Sequence, residues 1–211
     1  MIIVHHLNNS RSQRVLWLLE ELGLPYEIAF YQRDPVTNLA PPELKKVHPL
    51  GKSPVIVDNG RVIAESGAIL DYLARWHGAT MVSVSPDDPD WPAYLHWMHF
   101  AEGSAMLPLM LQLYAGRLGE AAAPLKPRIQ SEIANHLAYM NAALEGRDYL
   151  VSDHLTAADV QNSFILEAAN RNGQLDAYPN LVRVLAAWQA RPAYRRALEK
   201  GGPYALGPKD Q

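Results

Sequence analysis

The 211-residue chain contains no cysteine. That excludes disulfides, thiolate metal sites and a cysteine nucleophile, so any reactive thiol in its chemistry comes from a ligand. It has no apolar run near the ~20 residues that span a bilayer. Its opening, Met1-Ile2-Ile3-Val4-His5-His6, is too short and lacks the charged start of a signal peptide, which makes a cytosolic location the expectation. Neither sign of charge dominates: 19 basic against 22 acidic residues leave a net −3, too little to draw the chain to nucleic acid or an anionic membrane. Internal repeats and low-complexity segments are also missing. What the chain has is a 48% hydrophobic content, which over this length fills one large core or two smaller ones.

The organising stretch runs from Val47 to Leu73. Val55-Ile56-Val57 and Val62-Ile63-Ala64 are β-prone runs separated by Asp58-Asn59-Gly60, and an Asn-Gly between hydrophobic runs marks a hairpin. After Glu65-Ser66-Gly67 the apolar spacing of Ala68 to Leu73 turns helical, with Ser66 as the expected N-cap. Upstream, Ile2 to His6 reads as a buried strand and Leu7 to Ser10 as a turn-prone loop. A helix then reaches about Leu22, with Val15, Leu16, Leu18, Leu19 and Leu22 on its apolar face, Gly23 at its end and Pro25 barring continuation. Tyr26 to Tyr31 is a second strand, parallel to the first across that helix. Gln32 to Leu50 holds four prolines and room for one short helix near Glu43 to Val47.

His77 to Asp90 has glycine, proline and acid without periodicity and reads as a connection. Beyond it strand signals vanish and helical patterns take over: about Trp91–Leu118, Pro124–Leu144, Thr156–Arg171, Pro179–Arg191 and Pro192–Lys200. The expected organisation is an α/β domain over 1–78 and an all-α domain over 88–211, with a loosely ordered tail from Gly201. Thr156 and Asp159 form a capping box, and Leu155 against Val160 a hydrophobic staple; both are structural devices.

Four places carry candidate chemistry. At Glu65-Ser66, unpaired amides and the helix dipole favour an anion while the Glu65 carboxylate favours a cation, a pair suited to an amino-acid zwitterion. At Ser53-Pro54 a proline opens a strand; were that bond cis, the Ser53 amide and carbonyl would turn out of the sheet and offer a ligand an edge. Ser10-Arg11-Ser12-Gln13 fits a capping box, and a capping hydroxyl can still donate to a ligand. On the long helix Met106, Met110 and Tyr114 recur every fourth residue and share a face with His99 and Gly103, as core or as an adaptable apolar pocket. His96 and His99 with Glu102 could mimic a metal face, but nothing requires a third ligand nearby; they read as solvated helix residues, and no metal is expected.

The runs Gly51-Lys52-Ser53-Pro54-Val55-Ile56-Val57-Asp58-Asn59-Gly60 and Ile63-Ala64-Glu65-Ser66-Gly67-Ala68-Ile69-Leu70-Asp71-Tyr72-Leu73 resemble the glutathione-binding half of cytosolic glutathione transferases. The resemblance extends to Ser10–Leu16, Ala101–Ser104 and Leu155–Val160. It implies a thioredoxin-like N-terminal domain with a cis-proline, an all-helical second domain, and glutathione as co-substrate. In serine-type members a serine four residues before an arginine stabilises the glutathione thiolate, and Ser10 with Arg14 matches that spacing; Asn8 and Asn9 are rival donors on the same loop. The same resemblance implies glutathione contacts at Asn8, Lys52, Ser53, Pro54, Glu65 and Ser66, with Lys52 on the glycyl carboxylate. It also implies an electrophile pocket at Met106, Met110 and Tyr114, and a homodimer. His48 departs from the asparagine common before this proline. Conjugation to small hydrophobic electrophiles is the leading expectation. A glutathione-dependent disulfide reductase or peroxidase, and a non-catalytic binding module, are the alternatives.

Overall fold

Four short strands form one sheet in the order β2-β1-β3-β4 in the computed structural model, which describes residues 1–78 and 81–208. β1 (Ile2–Leu7) pairs parallel with β2 (Tyr26–Tyr31) and antiparallel with β3 (Val55–Asp58), which pairs with β4 (Arg61–Ala64) across the Asn59-Gly60 turn. Asn59 and Gly60 both have positive φ, 48° and 81°, as a two-residue hairpin turn requires. α1 (Ser12–Glu21) is the crossover, and α2 (Ser66–Trp76) follows β4. Pro42–Lys46 forms the short helix expected in the proline-rich stretch, as a 3₁₀ turn.

α1 is buried from Ser12 through Glu20 because a second helix covers the face that the sheet leaves open. That helix is α8 (Pro192–Gly201). Tyr194 meets Trp17 edge-on with ring centroids 5.3 Å apart, and Trp188 lies 6.4 Å from it. Two acidic residues at the end of α1 hold the same partner. Glu21 accepts from Arg191 at 2.6 and 2.9 Å, while Glu20 accepts from Arg196 at 2.8 Å, from the Tyr26 hydroxyl at 2.7 Å and from Lys200. Packing therefore groups Trp188–Gln211 with Met1–Ser83, and Val84–Ala187 forms the other compact unit. The composition change near 78–88 and the packing boundary are different divisions. A chain can change its periodicity at one place and return to its first core later. Nor is the C-terminal segment loose up to Pro208, contrary to expectation: the Ala205 amide donates to Asn9 Oδ1 at 2.7 Å and Gly207 closes a turn on Tyr204. Lys209 to Gln211 lie outside the described residues, as do Ala79 and Thr80 of the connection.

The second unit is helical, as expected: α3 (Trp91–Phe100), α4 (Met106–Gly116), α5 (Lys126–Ala143), α6 (Ala157–Arg171) and most of α7 (Pro179–Ala190). The single long helix read over Trp91–Leu118 is interrupted. Ala101–Ala105 is a π turn in which the Met106 amide bonds to the Ala101 carbonyl, five residues back. The wider turn rotates α4 relative to α3 about their shared direction, so the stripe expected from His99 through Gly103 to Met106 does not run straight. His99 and Gly103 are exposed and Met106 is buried.

α6 is the centre of this unit, buried over nearly its whole length. Asn162 Nδ2 donates to the carbonyls of Ala158 and Trp97, both at 2.8 Å, tying α6 to α3. At its start the capping box is formed. Asp159 accepts from the amides of Thr156 and Leu150, each at 2.8 Å, and from the Thr156 hydroxyl at 3.0 Å. Burial pushes the Asp159 carboxyl up to about 6, against the pull of those donors.

Candidate functional site

The pairing register brings three separate segments to one end of the sheet. Val55 pairs with His5 on one side and with Ala64 on the other. Beyond that row the chain runs through His6 and Leu7 into the loop that ends at Arg11, back into Ser53-Pro54, and onward into Glu65-Ser66. Ser53 stitches two of them together, its hydroxyl donating to the His5 carbonyl at 2.8 Å and accepting the Leu7 amide at 3.2 Å. Ser53-Pro54 is cis. The β1–β3 ladder ends at Val55, so the Ser53 backbone lies beyond it. Pro54 is buried, Ser53 half-buried and Lys52 exposed.

Glu65 carries the clearest local anomaly. It occupies the N-cap position of α2 with φ 69° and ψ 118°, its carboxylate is exposed, and its side chain makes no capping bond. Ser66, expected as the N-cap, is instead the first helical residue and is buried. A glutamate at positive φ costs ~1–3 kcal/mol, and such conformations gather at ligand sites. This one points an uncapped helix start at the open end of the sheet.

The first loop is more tied down than its sequence indicates. Arg33, which sequence reasoning missed, wraps it: the Arg33 amide donates to Asn8 Oδ1 at 2.8 Å, Nε to the Asn8 carbonyl at 3.1 Å and a terminal nitrogen to the Asn9 carbonyl at 3.2 Å. Asn9 has φ 50° and its Oδ1 accepts from Ala205. Both amide oxygens thus hold backbone in place. α1 begins two residues after Ser10, with Arg11 at the N-cap. Ser10 is not the cap of an S-x-x-Q box: its Oγ accepts the Ser12 amide at 3.2 Å and lies 2.8 Å from Ser12 Oγ, while Gln13 is buried with neither side-chain polar atom bonded.

In the second unit, Met106 is buried, Met110 half-buried and Tyr114 56% exposed. The three run along α4 from core to surface. Among the described residues no group of three or more histidine or acidic side chains is placed to hold a metal ion, and no helix is long and apolar enough to cross a membrane.

Comparison with known proteins turns this geometry into a family assignment. Residues 1–75 match the glutathione S-transferase N-terminal domain and residues 107–207 the glutathione S-transferase C-terminal domain. Glutathione S-transferase 3 of Schizosaccharomyces pombe is 37% identical over 95% of this chain and 88% of its own. The chain belongs to the glutathione transferase family. A glutathione S-transferase structure from Actinobacillus pleuropneumoniae superimposes with a TM-score of 0.85 at 32% identity, covering 97% of this chain and 94% of that one. A family member from Pseudomonas fluorescens, solved with two glutathione molecules bound, gives 0.77 at 30% identity over 94% and 92%. This glutathione transferase therefore has the fold expected from its sequence, a thioredoxin-like sheet domain followed by a helical one, and it is an enzyme of that class.

Proposed function

We propose that this glutathione transferase holds glutathione across the sheet end and conjugates its thiolate to small hydrophobic electrophiles. The observation that carries the reading is the junction at Glu65, a strained residue at an uncapped helix start one step from the paired row His5–Val55–Ala64. There the Glu65 carboxylate receives the γ-glutamyl ammonium, and the Ser66 amide and hydroxyl receive the neighbouring carboxylate. Ser53, held beside Pro54, pairs by its backbone with the cysteinyl unit. Lys52 neutralises the glycyl carboxylate, and Asn8 contributes from the first loop.

The thiol then falls at Ser10. A free thiol has a pKa near ~8.5, and lowering it by ~2 units takes ~2.7 kcal/mol, much of which one hydrogen bond to a charged sulfur (~1.5–3 kcal/mol) supplies. No general base is needed for that much. Met106, Met110 and Tyr114 form the adaptable wall for the electrophile.

The enzyme works as a cytoplasmic homodimer in this reading. Leu107, Leu111, Leu113 and Leu118 on and after α4, each at least 46% exposed, support a partner for the helical unit. Isothermal titration with glutathione, followed by turnover with a panel of aryl halides, disulfides and hydroperoxides, tests the proposal. Absence of binding at millimolar glutathione overturns it, and turnover confined to disulfides or peroxides replaces conjugation with reduction.

A further inference from the structure

His6 is a buried titratable group that the chemistry above does not use, and it sits at the end of a hydrogen-bonded line that starts at Ser10. Ser10 Oγ lies 2.8 Å from Ser12 Oγ, and Ser12 Oγ lies 2.8 Å from His6 Nδ1. All three residues are 5% exposed or less. The other side of the ring faces the end of α8, where the Gly201 backbone favours the protonated form of the ring. In the neutral tautomer with the proton on Nε2, Nδ1 is an acceptor toward Ser12. A side chain at Gly201 would displace the ends of neighbouring side chains. A Cβ there would come within 2.9 Å of Gln13 Oε1 and of Leu16 Cδ1 and within 3.5 Å of His6 Cε1. Phe30 meets the ring in a T-shaped contact at 5.9 Å.

In that tautomer, counting protons along this line gives a definite result. Ser12 has one hydroxyl proton; with Nδ1 an acceptor, that proton goes to His6, and the only remaining contact of good length, Ser10 to Ser12, is made by the Ser10 proton. The Leu7 carbonyl, 3.3 Å from Ser12 Oγ, is the weaker alternative acceptor. At rest Ser10 therefore points its proton inward and offers a lone pair outward. A thiol meeting that lone pair completes a line of three contacts with three protons: sulfur to Ser10, Ser10 to Ser12, Ser12 to His6. Remove the thiol proton to bulk water, and Ser10 must turn its proton to the sulfur, which leaves one 2.8 Å contact between two acceptors. The conflict disappears if the proton is kept. The S–H bond breaks as an O–H bond forms at Ser10, the Ser10 proton passes to Ser12, and the Ser12 proton passes to Nδ1, giving thiolate and imidazolium with every contact again holding one proton.

We propose that Ser12 and His6 are positioning residues for this glutathione transferase, forming a proton line that ties ionisation of the bound thiol to protonation of His6. The proposal rests on the reading that the glutathione thiol meets Ser10. Burial keeps His6 below the usual histidine range in the ligand-free protein, so the resting state is the neutral one that the line requires. The charged groups that share its cavity are Arg195 and Glu199 of α8, one of each sign, and the titratable phenols there are those of Tyr31 and Tyr204; Ser12 and Gln13 from α1 and Phe30 from β2 do not titrate.

The test is an NMR titration of the His6 ring in the whole protein, alone, with glutathione, and with S-methylglutathione, which occupies the site but has no thiol to ionise. The expected result is that glutathione raises the His6 midpoint by about one unit, a tenfold gain in proton affinity, and that S-methylglutathione does not. In Ser12→Ala, which keeps the backbone amide on Ser10 and the distance from sulfur to ring, the rise should vanish while calorimetry still shows glutathione binding. A rise that persists in Ser12→Ala is through-space attraction and overturns the line. An unchanged His6 midpoint in the wild type with glutathione bound also overturns it. Failure of the underlying reading looks different: glutathione then does not bind, or binds with its thiol pKa unchanged in Ser10→Ala.

Discussion

Two helix starts in this molecule are built in opposite ways. α6 opens with a reciprocal capping box, in which a fully buried Asp159 satisfies the Thr156 and Leu150 amides and the Thr156 hydroxyl. α2 opens with Glu65 at φ 69°, its carboxylate exposed and no side chain capping the helix. The first arrangement closes every polar group inward and stabilises its unit. The second leaves amides and charge turned outward and is strained. Helix amides left unpaired at a sheet's end are useful only to something that arrives from outside. The same contrast separates Thr156 from Ser10: one hydroxyl belongs to a closed box, the other to an open line.

The comparison breaks most visibly at Asp159. Asp159→Ala leaves two buried amides without acceptors, and we expect a loss of about 3–5 kcal/mol in denaturant unfolding, with glutathione affinity of the folded protein unchanged. A loss below about 1 kcal/mol would mean that the box is not what holds α6. The same residue gives a pH signature. Its folded pKa of about 6 lies above the unfolded value near ~4, so the native state binds the extra proton. Its stabilising effect is complete below about pH 4 and is lost as pH rises through about 6. The stability difference between wild type and Asp159→Asn should therefore shrink by up to about 3 kcal/mol from about pH 4 to about 6.5; a flat difference would show that the carboxylate is ionised throughout.

Glu65 should respond the other way round. Glu65→Gly relieves the positive φ, so thermal unfolding should show unchanged or slightly higher stability, by up to about 1 kcal/mol. Glutathione affinity should fall roughly 10- to 100-fold with the loss of one charge-assisted contact. If stability drops and affinity holds, the strained residue is structural and the contrast with α6 collapses.

Ser10→Ala is the finest probe. Ultraviolet titration of bound glutathione should show the thiol pKa raised by about 1 to 2 units, ~1.4 to 2.7 kcal/mol, with a smaller change in affinity. Because Ser10 is not the N-cap residue of α1, the accompanying loss of stability should be modest. Ser10→Thr, which keeps a donor, should retain the low pKa. Equal thiol pKa values in wild type and alanine variants would transfer the role to Asn8 or Asn9.

The secondary structure was almost entirely legible in the sequence, since local patterns specify local structure. Alternation at Tyr26–Tyr31, Asn59-Gly60 between β-prone runs, and Thr156 three residues before Asp159 each need only their neighbours to act. The elements with the least foreseeable features are those decided by distant partners. The π turn at Ala101–Ala105 lies within a continuous apolar helix pattern, and nothing local marks it. Arg33 reads as a surface cation until the fold brings the Asn8 and Asn9 carbonyls to it. Ser10 reads as a cap because S-x-x-Q is a local motif, yet its hydroxyl is engaged by Ser12, which in turn contacts buried His6.

By itself, then, the sequence determined the family, the order of elements and the residue types offered to glutathione, because hydrophobic period, turn chemistry and capping are properties of a few adjacent residues. The tertiary structure decided three things. It brought Leu7–Arg11, Ser53-Pro54 and Glu65-Ser66 to one sheet end through the pairing of Val55 with both His5 and Ala64. It returned α8 to the first core, where Glu20 and Glu21 meet Arg196 and Arg191 at sequence separations of 176 and 170 residues. It also set a histidine behind the candidate catalytic serine. The first two outcomes depend on which strand pairs with which and on which helix covers an open face, and no short window of sequence contains both partners; His6 and Ser12 are six residues apart, and it is the turn from β1 into α1 that brings them together.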